Sequence, residues 1–317
     1  MLQVNVSRKA NEAEGVCSFE LSPVKGETLP PFEAGAHIDV HIPGGLIRQY
    51  SLCNDPRERN RYLISVLKEP NSRGGSEAMH SIVGEGHELT ISAPRNLFKL
   101  DHGAARHLLF AGGIGITPIL AMAYELAHRK ADFELHYCFR SCDRAAFVKA
   151  LADAPFADRV VLHDDNGPQQ QKLNAAAILD AVDEGRHLYV CGPSGFMNHI
   201  LDTGEAAGWP QERMHREFFA GPVIDQGANA PFQVVLARSG RSFDIPADRT
   251  VFEVLDEAGV EVETSCEQGV CGTCVTRVLE GIPDHRDQFM TADEHARNDC
   301  FTPCCSRAKS HRLVLDL

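Results

Sequence analysis

The sequence predicts a multidomain chain: an antiparallel β-barrel, an α/β domain on a parallel sheet, and a small α+β domain. Three observations carry this reading. Residues 2–98 alternate apolar and polar side chains at period two, the rhythm of half-buried strands. Residues 106–219 switch to short apolar runs alternating with amphipathic stretches, which implies parallel strands joined through helices. The last 52 residues hold six of the 11 cysteines. At roughly 100–200 residues per domain, the length accommodates such a division, and the rhythm changes place the domains at 1–103, 104–222 and 230–317.

Strand alternation shows first in Leu2–Ser7, Val16–Leu21, Ala36–Ile42, Tyr62–Leu67 and Glu88–Ser92. Clusters at Pro30-Pro31, Pro43-Gly44-Gly45 and Arg73-Gly74-Gly75 punctuate these runs, and many short strands with frequent turns suggest a barrel or sandwich. The next region reads as strands at His107–Ala111, Phe133–Phe139, Arg159–His163 and His187–Cys191. Helices are expected between and after them at Thr117–Arg129, Arg144–Ala152, Asn174–Val182 and Gly195–Ala207. Residues 220–230 are small and weakly patterned, as in a linker. Phe232–Arg238 and Arg241–Ile245 then form a hairpin around Ser239-Gly240. Thr250 and Glu253 offer a capping box for a helix through Ala258, and Arg312–Asp316 closes as a strand.

The net charge of −13 argues against nucleic-acid binding, which needs a basic footprint. It suits either solubility or steering toward a basic partner face. The N-terminal stretch has no apolar signal core, and no apolar run approaches the ~20 residues that span a bilayer. With cysteines lacking paired spacing, the expectation is a monomer in a reducing cytosol, with no membrane association.

Cys266, Cys271 and Cys274 form a C-x4-C-x2-C run, and Cys304 follows far downstream. This is the ligand spacing of a plant-type [2Fe–2S] cluster held by four thiolates. The competing reading is structural zinc, whose loops pair cysteines as two C-x2-C units; only one occurs here. Cys300 and Cys305 are then spare. The fifteen histidines show no H-E-x-x-H grouping.

Four further motifs address organic cofactors. Arg48-Gln49-Tyr50-Ser51-Leu52 supplies a cation, an aromatic ring and a hydroxyl, the set a flavin needs; a generic strand is the other reading. Alternation puts Arg48 and Tyr50 on one face, so Ser51 would act partly through its backbone or at a bend. Downstream, Arg73-Gly74-Gly75-Ser76 opens a helix over Glu77–Ile82, a natural phosphate site. Gly112-Gly113-Ile114-Gly115-Ile116-Thr117-Pro118 is a glycine turn from strand into helix, where backbone amides can approach a pyrophosphate. Cys191-Gly192-Pro193 ends another strand at the edge where open α/β sheets bind ligands, although a buried Cys191 would serve equally as a small hydrophobe. Within His215–Phe219, an aromatic is a candidate cover for a flavin face or a core side chain. Asp143 is either a ribose contact or a solvated loop residue.

In this order, R-x-Y-S-L, G-G-I-G-I-T-P, C-G-P and the cysteine loop followed by Cys304-Cys305-Ser306-Arg307-Ala308 resemble the phthalate dioxygenase reductase family over essentially the whole chain. His285-Arg286-Asp287 and the closing Leu313–Leu317 also fit. The resemblance implies a flavin β-barrel, a nucleotide-binding α/β domain and a ferredoxin-like β-grasp domain. It implies FMN, NADH and a [2Fe–2S] cluster, with electrons passed to a Rieske-type oxygenase component. That oxygenase would perform aromatic O-demethylation or ring hydroxylation; alternatives are a non-aromatic substrate such as a quaternary amine, or a ferredoxin-bearing redox sensor. By motif match, Arg48, Tyr50, Ser51, Leu52, Leu67, Lys68, Gly74, Gly75 and Ser76 would hold the flavin. Gly113, Gly115, Thr117, Arg140, Cys191, Gly192 and Pro193 would line the nucleotide site. Ser51, Thr117, Cys191 and Phe219 would stand at the reacting rings, and Cys266, Cys271, Cys274 and Cys304 would ligate iron. The match near Asp143 is poor, which leaves NADH against NADPH open.

Overall fold

The structure, a computed structural model, describes residues 1–24, 28–70, 72, 74–180, 182–219, 221 and 229–317. Arg73 and most of the expected linker, 220 and 222–228, lie outside the described residues. The chain divides into two compact units, Met1–Glu217 and Phe218–Leu317. The first unit contains two sheets.

Its first sheet holds β1 (Leu2–Ala13), β2 (Val16–Pro23), β3 (Ala36–Ile42), β4 (Leu46–Ser51) and β5 (Tyr62–Leu67). After helix α1 (Gly75–Ser81) come β6 (Glu88–Ile91) and β7 (Arg95–Asn96). The order is β4-β3-β6-β1-β2-β5, with β7 on β3, and every pairing is antiparallel. A bridge from Leu52 to Ile64 joins the two ends of this order, so the sheet curls into a barrel. The period-two pattern explains the interior: Val4, Val6, Phe19, Leu21, Ile38, Val40, Ile64 and Val66 are buried from four strands. The first strand runs six residues beyond the expected Ser7, with register irregularities that bend it.

The second sheet comprises β8 (Arg106–Gly112), β9 (Asp132–Phe139), β10 (Val160–Asp164), β11 (Arg186–Cys191) and β12 (Met214–Glu217). Helices α2 (Ile116–His128), α3 (Val148–Ala152), α4 (Ala175–Leu179) and α5 (Ser194–Ala206) occur between successive strands. All pairings are parallel, in the order β10-β9-β8-β11-β12. The chain order reverses between β8 and β11, and the C-terminal edge at such a switch point is where open α/β sheets bind ligands. The helix expected from Arg144 begins only at Val148. A 3-10 turn at Cys142–Arg144 and a left-handed Phe147 (φ 61°) intervene, and neither continues an α-helix. The sequence reading also missed β12, a four-residue strand too short to display a period.

The second unit holds β13 (Phe232–Leu236), β14 (Ser242–Ile245), β15 (Thr276–Glu280), β16 (Pro283–Asp284), β17 (Cys300–Phe301), β18 (Arg307–Ala308) and β19 (Arg312–Leu315), with helices α6 (Val251–Glu257) and α7 (Ala292–Arg297). Its main sheet runs β14-β13-β19-β15-β17, mixed because β13 and β19 are parallel. Val251 and Leu255 of α6 bury against Val234, Leu313 and Leu315 of this sheet, the β-grasp arrangement. The expected capping box forms: the Thr250 hydroxyl accepts from the Glu253 amide at 3.1 Å, and Glu253 accepts from the Thr250 amide at 2.8 Å. Helix α7 carries a second box at Thr291 and Glu294 that the sequence reading overlooked. No helix among the described residues is long and apolar enough to cross a membrane.

Candidate functional site

The four expected iron ligands converge. Cys266, Cys271, Cys274 and Cys304 are all buried, and all are free thiols. They meet as two pairs. Cys274 Sγ lies 3.3 Å from Cys304 Sγ, and Cys266 and Cys271 hydrogen-bond each other. Within the second pair the contact with Cys266 draws Cys271 down to about 5, while Cys266 is raised. Two thiol pairs, one within the loop and one joining the loop to Cys304, supply the four donors that a pair of iron atoms requires, so these residues fit a [2Fe–2S] cluster. Backbone amides already turn toward sulfur: Gln268 N donates to Cys266 Sγ and Thr273 N to Cys271 Sγ, each at 3.4 Å.

Local chain geometry makes the loop possible. Gly269 is left-handed (φ 72°), and a Cβ there would stand 2.4 Å from Cys305 Sγ and 3.0 Å from Asp287 Cα. Only glycine combines that backbone with that approach. Cys305 is thereby placed on the loop's flank, where its thiol lies 3.2 Å from Thr302 Oγ1.

The nucleotide-side motifs assemble at the switch point. The glycine turn follows β8 and the Cys191-Gly192-Pro193 turn follows β11, its parallel neighbour. They touch directly: a Cβ on Gly115 would lie 2.2 Å from the Cys191 carbonyl oxygen and 2.6 Å from Gly192 N. Gly113 is left-handed (φ 53°) with open space beyond it. Thr117 is buried, and its hydroxyl donates to Ile114 O at 3.0 Å, closing the turn from within. Cys191 is fully buried, and burial pushes its thiol well above the ordinary range, so it is a neutral packing group rather than a nucleophile. Pro193 lies immediately before α5. Arg140 is exposed just past β9. Asp143 is exposed too, its carbonyl accepting from Glu14 N at 2.7 Å.

On the barrel, β4 presents its side chains as alternation requires. Gln49 faces one way and donates to Asp39 at 3.0 Å, leaving Arg48 and Tyr50 on the other face. Arg48 lies across the start of α1, since a Cβ on Gly75 would come within 2.7 Å of its Cγ. Burial raises the Tyr50 phenol well above its usual range, so it stays protonated. Gly74 is left-handed (φ 90°), and the Ser76 hydroxyl accepts from Glu69 N and donates to Ser72 Oγ, bracing the turn. Lys68 pairs with Glu77 at 2.9 Å, Leu67 ends β5, and Leu52 is fully buried at the barrel bridge.

The Ser51 hydroxyl donates to Glu217 Oε2 at 3.3 Å. Ser51 ends β4, so it points away from the Arg48–Tyr50 face and toward the second sheet. Glu217 is a candidate site residue that sequence reasoning passed over. It sits opposite Cys191 in the β11–β12 register, at the C-terminal edge of the parallel sheet. Burial pushes its carboxyl up to about 8, with the Ser51 hydrogen bond pulling the other way. The available signal was a carboxylate at the end of a strand, in a segment read for its aromatics. Phe219 lies in the second unit with 39% of its surface exposed.

A buried two-by-two thiol site and a glycine-turn switch point beside a cation-bearing barrel define an oxidoreductase joining a pyridine nucleotide and a flavin to an iron–sulfur centre. Comparisons with known proteins agree. Residues 234–309 match the model of the 2Fe-2S iron-sulfur cluster binding domain, and residues 90–214 that of the dimethylamine monooxygenase subunit DmmA-like N-terminal domain. The chain is 58% identical to a vanillate O-demethylase oxidoreductase of a Pseudomonas species over 100% of both chains. It is 42% identical to the phthalate dioxygenase reductase of Burkholderia cepacia, over 100% of this chain and 97% of the relative. A solved phthalate dioxygenase reductase, described as a modular structure for electron transfer from pyridine nucleotides to [2Fe-2S], superposes with a TM-score of 0.79 at 41% identity, covering 100% of this chain and 98% of that one. The chain belongs to the phthalate dioxygenase reductase family.

Proposed function

We propose that this chain is the NADH-dependent reductase component of a Rieske-type oxygenase, with FMN as its flavin. The observation that carries this reading is the pairing of four buried thiols in a chain that also brings Ser51, Cys191 and Glu217 to one sheet edge. When bound, the flavin accepts a hydride's two electrons, which the cluster then takes one at a time.

The chain's own residues hold and orient these groups. Arg48, laid over Gly75, faces the flavin phosphate together with Gly74 and Ser76, while Tyr50, Leu52, Leu67 and Lys68 frame the ring system. Gly113, Gly115 and Thr117 present the turn that receives the nucleotide, and Arg140 lies toward its far end. Cys191, Gly192 and Pro193 give the nicotinamide a neutral, dry wall. Ser51 and Glu217 supply hydrogen bonds where the two rings meet, and Phe219 covers the flavin. Cys266, Cys271, Cys274 and Cys304 hold the irons. We assign these roles to modules 1–103, 104–222 and 230–317 of a monomeric cytosolic protein.

For the downstream substrate we propose a methoxylated aromatic acid of the vanillate kind. Full-length identity to the vanillate O-demethylase oxidoreductase favours this over ring hydroxylation. The test is compositional and kinetic. We expect acid-released flavin to chromatograph as FMN, with about two irons per chain from the four-thiol count, and NADH to outpace NADPH in cytochrome c reduction. Release of FAD alone, or preference for NADPH, overturns the corresponding assignment.

A further inference from the structure

The His285-Arg286-Asp287 motif has no role in the reading above, yet Asp287 is a fully enclosed carboxylate of the second unit. Its side chain has no solvent exposure. Four groups surround it. Met290 N donates to Oδ2 at 2.8 Å, Thr302 Oγ1 donates to Oδ1 at 3.4 Å, and His295 Nε2 lies 3.2 Å from both oxygens. His285 completes the shell, its Nδ1 4.0 Å from Oδ1 and its ring stacked on His295 at 4.4 Å. Neither His285 nitrogen makes a hydrogen bond of normal geometry, although Asn298 and the His295 backbone act on the ring.

What distinguishes Asp287 is the reach of these contacts. Its neighbour's amide, Gln288 N, donates to Gly269 O at 2.9 Å, and Asp287 Cα lies against Gly269 itself, inside the cysteine loop. Thr302, which donates to the carboxylate, also lies 3.2 Å from Cys305 Sγ and 2.8 Å from Ser306 Oγ, so it fixes the turn that carries Cys304. The turn closed by Met290 N places Phe289 over Gly272, where a Cβ would strike its ring at 2.2 Å. One buried carboxylate thus ties the three-thiol loop, the fourth-thiol turn and α7 together. A buried charge persists only when its hydrogen bonds are met, and removing it leaves the donors around it unpaired.

We infer that Asp287 is a positioning residue for the cluster: it locks the loop 266–274 to the Cys304 turn, and its negative charge holds the cluster's reduction potential down. This rests on the iron–sulfur reading above. The test uses the full, iron-loaded chain and three variants. Asp287→Ala should release iron to a chelator about tenfold faster, the effect of losing hydrogen bonds to a charged group, and should broaden the cluster's EPR signal. Asp287→Asn keeps the shape and an acceptor for Met290 N but removes the charge. It should retain iron much as the parent does while its potential rises, a split that a purely structural role would not produce. Thr302→Val removes one tie and should fall between parent and Asp287→Ala in iron release, which keeps the test open if Asp287→Ala fails to fold. Parent-like iron release in Asp287→Ala and Thr302→Val, or an unshifted potential in Asp287→Asn, overturns the inference. A parent chain without a [2Fe–2S] spectrum would instead overturn the iron–sulfur reading itself.

Discussion

The cysteine loop gathers three thiols between Cys266 and Cys274, whereas Ser51 and Glu217, which hydrogen-bond each other, stand 166 positions apart. The loop is a local device: its glycines permit left-handed turns, its amides point at sulfur, and only Cys304 arrives from a distance. The sheet edge is a long-range device, in which β4 of the barrel and β8, β11 and β12 of the parallel sheet each contribute a residue or turn. A local device is written in spacing and tolerates little change within it. A long-range device is written in topology, and its side chains are chosen by what the fold brings opposite them.

The largest effect expected at the sheet edge comes from Gly115→Ala. Its new Cβ would overlap the Cys191 carbonyl, where the neighbour is backbone and cannot swing away. Overpacking of this kind costs about 1–3 kcal/mol. We expect a lower unfolding midpoint and a raised KM for NADH. Unchanged values for both would show that the two turns are not in the contact described.

A smaller, pH-dependent effect is expected from Glu217→Gln. The folded carboxyl titrates near 8 against an ordinary 4.5, so the protonated form is favoured in the folded state. The sign follows from linkage. The stability that this group contributes is fully present below about pH 4.5, drains away as pH rises, and is gone above about 8. The variant should therefore lose less stability than the parent between those values, and its flavin-reduction rate should lack the fall expected of the parent above pH 8. Parallel pH profiles for the two proteins would remove Glu217 from the site.

The comparison also explains what could be read beforehand. The barrel strands, the parallel sheet and the capping box at Thr250 follow from period, apolar runs and cap chemistry, which are short-range properties. The return of Cys304 to the three-cysteine loop was legible because plant-type spacing calls for a distant fourth thiol. Glu217 was not, because nothing near it in sequence shows that Cys191 will lie opposite or that Ser51 will reach it. For Ser51, alternation gives the face of its side chain but not what stands across from that face. Asp287 was visible as part of a motif, but its burial depends on α7 and on Thr302, and α7 has too few apolar residues to announce itself.

The central claim is that two separable devices, one accepting hydride and one passing single electrons, act in series. Stopped-flow mixing of NADH with the Cys271→Ser variant, loaded with flavin and supplied with its oxygenase partner, tests this most directly. Cys271 belongs to the second unit, whereas Ser51, Gly115, Cys191 and Glu217 belong to the first. We expect flavin bleaching at close to the parent rate and no reduction of the oxygenase partner. Loss of flavin bleaching in a folded, flavin-loaded variant, or continued reduction of the oxygenase without the cluster, would contradict the account.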